Sequence, residues 1–312
     1  MAGGGVRVLA RRVAPLSRNR FLNRLAFIRS CGAAVLAPAT LAQTSLQEKI
    51  AAVARTMPGN IGIYARTMGD GAPFVAYAAR ERFPTASTMK LLVMATAFRA
   101  EELYPGALDR RIVFRESELI GGSDYMDQVA DGARLSVREL IHPMITVSDN
   151  TAANLLIEHF GFYAINAMAR RAGMLRTRLA RRFLDYTAIV HHNDNVSTPA
   201  DMARLLYLLE RGAREGVPTI LTSRHCRAAI AIMLQQTDRD GIPAALPAGT
   251  HVANKTGEVE GTRNDVAIVE PFGDSPFVLA IMTSDAYDYA AAYRAIHRMT
   301  RLAYAAVAGI SA

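Results

Sequence analysis

Ser87-Thr-Met-Lys90 sets a hydroxyl and an amine three residues apart. If a helix starts there, the two side chains lie one turn apart on one face, within mutual reach. A serine near a helix N-terminus also sits where free amide N–H groups and the helix dipole favour developing negative charge. A lysine with a lowered pKa can then take the serine's proton and make the oxygen a nucleophile. By itself the spacing is weak, because roughly one Ser-x-x-Lys is expected by chance in a chain this long. Lysine usage strengthens it. Of 36 basic side chains only three are lysine, namely Lys49, Lys90 and Lys255. Arginine keeps its proton in proteins and carries a broad planar fork, so it cannot replace a titrating or compact ammonium. Three lysines scattered over the 36 basic positions would fill both 90 and 255 about once in two hundred trials. Lys255 itself opens Lys255-Thr-Gly257. A third group, Ser148-Asp-Asn150, follows an amphipathic stretch at 140–147 and precedes another helical pattern. Its hydroxyl could relay protons and its amide could bind a substrate carbonyl, though alone the tripeptide reads as a turn with a helix N-cap.

The elements that must position these groups are legible in outline. Ser45-Leu-Gln-Glu48 is a capping-box start for a helix with Leu46, Ile50, Val53 and Met57 on one face. Residues 61–67 and 74–79 flank Gly69-Asp-Gly-Ala-Pro73 and read as a β-hairpin. From Ser87 to about Glu210 the pattern is mainly helical, with a capping box at Ser136-Val-Arg-Glu139 and a Pro-led start at Thr198-Pro-Ala-Asp201. Residues 251–255, 265–270 and 276–283 are β-rich, and a last helix is predicted over about 287–307. Strands at both ends with helices between them predict an α/β (α+β) fold. A sheet part, 43–82 and 222–312, would be flanked by the terminal helices. An all-helical part, 83–221, would be inserted, with a cleft where the two meet.

The 312 residues carry a formal charge of +8, but its location removes the case for nucleic acid. Residues 1–42 hold seven arginines and no acid, so the rest of the chain has 29 basic against 28 acidic side chains. That arginine-rich start, then the short apolar run Cys31-Gly-Ala-Ala-Val-Leu-Ala-Pro-Ala-Thr-Leu-Ala42, reads as a cleaved export signal over 1–42, with a periplasmic or secreted mature chain. No later run is long enough to span a bilayer. Cys226, left alone, reads as structural. His191-His192 has no third ligand at metal spacing, and no glycine-rich phosphate loop occurs, so neither metal nor organic cofactor is expected.

Ser87-x-x-Lys90, Ser148-Asp-Asn150 and Lys255-Thr-Gly257, in this order, resemble the motif set of class A β-lactamases and penicillin-binding proteins. The resemblance covers nearly all of 43–312 and implies a β-lactamase/transpeptidase-like fold, an antiparallel sheet with an inserted helical subdomain. It implies a small-molecule β-lactam or peptidoglycan-like substrate and a monomer. By this resemblance Ser87 forms an acyl-enzyme, Lys90 acts in deprotonating it, and Ser148 passes a proton to the ring nitrogen with help from the charge of Lys255. The backbone N–H groups of Ser87 and Glu258 would hold the oxyanion. Asn150 would hold the substrate's side-chain amide, while Thr256 and Arg263 would bind its carboxylate. The register of Gly261-Thr-Arg-Asn-Asp265 differs from common class A enzymes by one residue. Tyr125 would either wall the cleft or be an ordinary packed or surface tyrosine.

The departure lies in the Ω-loop, where class A enzymes carry a glutamate in an Arg-x-Glu-x-x-Leu-Asn pattern that activates the deacylating water. Matching Thr177-Arg-Leu179 to that pattern puts Phe183 at the glutamate position, and no glutamate occurs between Glu158 and Glu210. Asp185 is the nearest carboxylate, either a substitute base or a structural loop residue. Three functions remain open on sequence alone. They are a class A-type β-lactamase, fast or slow, using Asp185 or another group, a cell-wall D-Ala-D-Ala peptidase or esterase of the same superfamily, and a β-lactam-binding sensor without turnover. The sensor would call for a membrane anchor or a fused signalling domain, and neither is seen.

Overall fold

The computed structural model describes residues 37–310 apart from 70 and 217, so the arginine-rich start and most of the expected export signal lie outside the described residues. Helix α1 (Ala37–Thr56) is already under way at Ser45. The capping-box start is therefore corrected: Ala, Leu and Gln residues of high helix propensity carry the helix back past it. Strands β1 (Asn60–Thr67) and β2 (Val75–Tyr77) form the expected hairpin, and β3 (Phe83–Pro84) leads into a 3₁₀ turn, Ala86–Met89, and helix α2 (Lys90–Leu103). Short strands β4 (Arg111–Val113) and β5 (Arg134–Ser136) pair with each other before α3 (Val137–Thr146) and α4 (Asn150–Arg171). Helix α5 (Tyr186–Val190), strand β6 (Val196–Ser197), helix α6 (Pro199–Glu215) and helix α7 (Ser223–Met233) follow. The chain ends with β7 (Val252–Val259), β8 (Thr262–Val269), β9 (Phe277–Ser284) and α8 (Tyr289–Ala308).

Five strands form one antiparallel sheet in the order β2-β1-β9-β8-β7. Side chains alternate across it, which explains two separate cores. On β9, Phe277, Leu279 and Ile281 join Ile50 and Val53 of α1 and Ile296, Met299 and Ala303 of α8. Val278, Ala280 and Met282 face the other way and pack with α2, α3, α4, α6 and α7. Because both faces are covered, β9 reads as an almost unbroken apolar run rather than an alternating one. β7 is an edge strand, and its free edge borders the region where the helical part meets the sheet.

Helix α2 has no polar stripe: residues 90–98 are all buried. A helix apolar on every side belongs in the middle of a core, and Lys90 is carried into that core as its first residue. The two predicted caps are present. Ser136 Oγ accepts Glu139 N–H at 3.1 Å while Glu139 Oε2 accepts Ser136 N–H at 2.7 Å. Thr198 Oγ1 accepts Asp201 N–H at 3.0 Å.

The loop at 177–185 is fixed chiefly by buried Asn195. Its Oδ1 accepts Ala180 N–H at 2.7 Å and Arg181 N–H at 3.0 Å, and its Nδ2 donates to Arg181 O at 3.1 Å. Its own carbonyl accepts Thr85 N–H at 2.9 Å, two residues before Ser87, so the loop and the turn carrying Ser87 share one anchor. Asn195→Ala strands three backbone groups and is expected to lower stability by roughly 2–4 kcal/mol, measured by urea denaturation. A loss below the error of that measurement would show that the loop does not depend on this side chain.

Candidate active site

Ser87 lies in the 3₁₀ turn, not yet in the α-helix, and this tightens the predicted geometry. In a 3₁₀ turn positions i and i+3 eclipse, and Lys90 Nζ comes to 3.0 Å from Ser87 Oγ. The turn is entered through Ala86 at φ +44°, a left-handed conformation that an alanine adopts only under constraint. β7 supplies part of that constraint. A Cβ on Gly257 would stand 2.7 Å from Thr85 O and 3.1 Å from Ser87 N, so glycine is needed for the strand to pass this close to Ser87.

Ser148 also takes positive φ, +58°, just before α4 begins. That conformation turns its carbonyl oxygen to 2.6 Å from Lys90 Nζ and leaves its Oγ between two amines, 3.2 Å from Lys90 Nζ and 3.0 Å from Lys255 Nζ. Asn150 Oδ1 is 2.7 Å from Lys90 Nζ, and its Nδ2 donates to Gly121 O at 2.9 Å, which fixes the amide's orientation. Asp149 between them is buried; it caps α4 by accepting Ala152 N–H at 2.8 Å and holds Met126 N–H at 3.0 Å. Ser87, Lys90, Ser148, Asn150 and Lys255, from three separate stretches of chain, therefore converge on one point.

Burial pushes the Lys90 amine well below its ordinary pKa, the charge of Lys255 pushes the same way, and Asp149 opposes both. Lys255 is lowered to about 8, again chiefly by burial, against the pull of Asp238, Asp265 and Glu258. Two ammonium groups cannot both stay charged cheaply in one dry pocket. The arrangement favours one neutral amine, at Lys90, and one charged amine, at Lys255.

These groups open onto a cleft of about 260 Å³ lined by Ser87, Ser148, Asn150, Thr256, Glu258 and Asp238, among others. A larger open groove of about 710 Å³ lies between α1 and α8, but it holds none of these side chains. Arg263 is not among the cleft-lining residues. Residue 263 is paired directly with Glu258, so both side chains leave the same face of the sheet, toward α8. There the Arg263 guanidinium stacks 3.6 Å over the Tyr289 ring and donates to Val259 O at 2.9 Å and Thr262 O at 2.7 Å. Tyr125 is exposed and also outside the lining.

Phe183 is buried with its ring centroid 4.6 Å from Lys90 Nζ. Asn154 holds it there, accepting Phe183 N–H at 2.8 Å and donating to Phe183 O at 3.1 Å. The carboxylate of exposed Asp185 is engaged elsewhere, accepting Ala188 N–H at 3.0 Å as the cap of α5. Sequence reasoning gave no role to Asn154, Asp149 or the Glu258 side chain. Asn154 lies one helical turn beyond Asn150, and that spacing was the available signal.

The family model described as "Beta-lactamase enzyme family" matches residues 45–307. The carbapenem-hydrolysing β-lactamase KPC of Klebsiella oxytoca is 33% identical over 251 residues, covering 78% of this chain and 83% of its own. Among solved structures, a class A β-lactamase from Mycobacterium abscessus superposes with a TM-score of 0.74 at 30% identity, over 84% of this chain and 99% of that one. PBP-A superposes with a TM-score of 0.76 at 25% identity, over 86% of this chain and 97% of that one. The chain belongs to the β-lactamase enzyme family, as a class A β-lactamase-like serine hydrolase.

Proposed function

We propose that Ser87 opens β-lactam rings with Lys90 as its base, and that the resulting ester is long-lived because Phe183 stands where a water-activating carboxylate is needed. The observation that carries the first part is a count of positions around Lys90 Nζ. A neutral amine has two N–H donors and one lone pair. Of the four oxygens around it, Ser148 O at 2.6 Å and Asn150 Oδ1 at 2.7 Å are the closest and take both donors, which leaves the lone pair for the Ser87 hydroxyl at 3.0 Å, with Ser148 Oγ farther off at 3.2 Å. Ser87 Oγ then bonds to the lactam carbonyl carbon as its proton passes to Lys90. The C–N bond breaks, and the ring nitrogen receives that proton through Ser148 Oγ, with Lys255 charged beside it. The N–H groups of Ser87 and Glu258 receive the carbonyl oxygen. The apolar Phe183 ring supports slow deacylation, since it can neither accept a proton from water nor orient it. The basic start of the chain and its short apolar run support export. No helix among the described residues is long and apolar enough to cross a membrane.

Intact-mass spectrometry with benzylpenicillin should show an adduct that persists for minutes, and Phe183→Glu should shorten its life by roughly 10²-fold or more, with Phe183→Gln as the control that adds no base. An adduct in the wild type that decays within seconds, or a Phe183→Glu variant no faster than Phe183→Gln, would defeat the missing-base account. A D-Ala-D-Ala peptide in the same assay tests the peptidase reading.

Lys90→Arg keeps the positive charge but cannot give up a proton, so the acylation rate should fall by about 10²–10⁴-fold. Acylation at the wild-type rate would remove Lys90 as the base. The pH profile of acylation should rise as Lys90 loses its proton below its ordinary pKa. It should fall above about pH 8, where Lys255 becomes neutral and no longer steadies the departing nitrogen. A profile still rising well beyond that pH would exclude a charged Lys255 from the reaction.

A further inference from the structure

Glu258 follows Lys255-Thr256-Gly257 directly and lines the cleft, yet its carboxylate is held from the α8 side. Tyr293 donates its hydroxyl to Glu258 Oε1, and Arg263 Nε lies 3.6 Å from the same oxygen. Burial and the adjoining carboxylate both raise the Tyr293 pKa, so that phenol remains a donor. The Arg263 side chain is only 14% exposed, against 43% for Glu258. The carboxylate is thus the more exposed member of the pair. Arg263 also stacks on Tyr289 and donates through Nη1 to Val259 O and Thr262 O. The other ionisable residues lining the cleft are Asp124 and Asp238, and no cationic side chain is among the lining residues. The nearby ammonium of Lys255 is buried and already donates to Ser148 Oγ and Thr256 O.

A substrate carboxylate entering on the Thr256 side thus meets acidic side chains and a cation already paired. We propose that Glu258 is a specificity-determining residue: its carboxylate occupies Arg263 from within, so the cleft disfavours acyl donors with a carboxylate on that side and takes donors neutral there. Opposite charges placed directly across an antiparallel pair reinforce each other, and a ligand carboxylate gains little from a guanidinium whose charge is already matched. The inference rests on acylation at Ser87 and names which donors reach it.

The test compares acylation rates for benzylpenicillin and its methyl ester by intact mass, in the wild type, Glu258→Gln and Glu258→Ser. The wild type should acylate with the ester at least as fast as with the acid. Both variants should raise the acid-to-ester ratio by about tenfold, the scale of one charged hydrogen bond. Adding Arg263→Ala to Glu258→Gln should abolish that gain, which separates release of the guanidinium from simple loss of a repelling charge. A wild type that prefers the acid tenfold, or a ratio unmoved in both variants, would overturn the proposal. A gain that survives Arg263→Ala would overturn the role of Arg263 in it. No adduct with either compound would instead bring down the reading of Ser87 on which the inference stands.

Discussion

The amine of Lys90 is buried with Ser148 O at 2.6 Å, Asn150 Oδ1 at 2.7 Å and Ser87 Oγ at 3.0 Å around it. Two effects favour its charged form, the attraction of Asp149 and the face of the Phe183 ring. A desolvated cation–π contact contributes about 2 kcal/mol, less than burial of a full positive charge costs. Lys255 adds a second charge in the same dry space, and the balance falls on the neutral side. Most of what is unusual in the surrounding backbone serves this enclosure. The positive φ of Ser148 brings one acceptor in, the cap by Asp149 fixes where α4 begins, and that start delivers Asn150 as the second acceptor. Strain of the kind seen at Ala86 and Ser148 costs about 1–3 kcal/mol per residue and persists only where packing over-determines it. Gly257 passing against Thr85 and Ser87 is that packing on one side. The all-round burial of α2 is the packing on the other.

Much of this was legible because the chain uses arginine almost everywhere a cation suffices, so two lysines in short motifs stood out as chemical requirements. The hairpin of β1 and β2, the capped starts of α3 and α6, and the terminal strands and helix followed from periodicity and capping, since those signals are local. What was not legible depends on register and depth. The face on which Arg263 emerges follows from pairing of Glu258 with Arg263 across a turn at Glu260 and Gly261, and no composition of a single strand reveals a partner's register. The strand runs at 251–255 and 265–270 were read too short, because Lys-Thr-Gly and Thr-Arg-Asn-Asp carry polar residues that tertiary packing holds in the sheet. Likewise α1 starts earlier than its capping box, since nothing local forbids a helix through 37–45.

Phe183 illustrates the limit from another direction. In the sequence it registers as the lack of a glutamate, a statement about what the loop cannot do. In the structure it is a buried ring over the Lys90 amine, held by Asn154 from α4 and by a loop that Asn195 ties to Thr85. The ring covers Lys90 on that side and brings no negative charge that would hold the amine protonated. On the proposed mechanism, the side chain that offers water no base also leaves Lys90 free of a neighbouring carboxylate, so acylation and deacylation are opposed through one residue.

A comparable opposition operates at the cleft mouth. A guanidinium beside a cleft-lining carboxylate must either meet a ligand's anion or be matched internally. Glu258 and the stacked Tyr289 match it, and Tyr293 donates its hydroxyl to Glu258 from α8. That carboxylate also acts on Lys255, pulling its pKa up against burial and so helping the amine keep its charge. The charge of Lys255 in turn pushes the Lys90 pKa down. One carboxylate thus takes part both in the pairing of Arg263 and in the asymmetry between the two lysines.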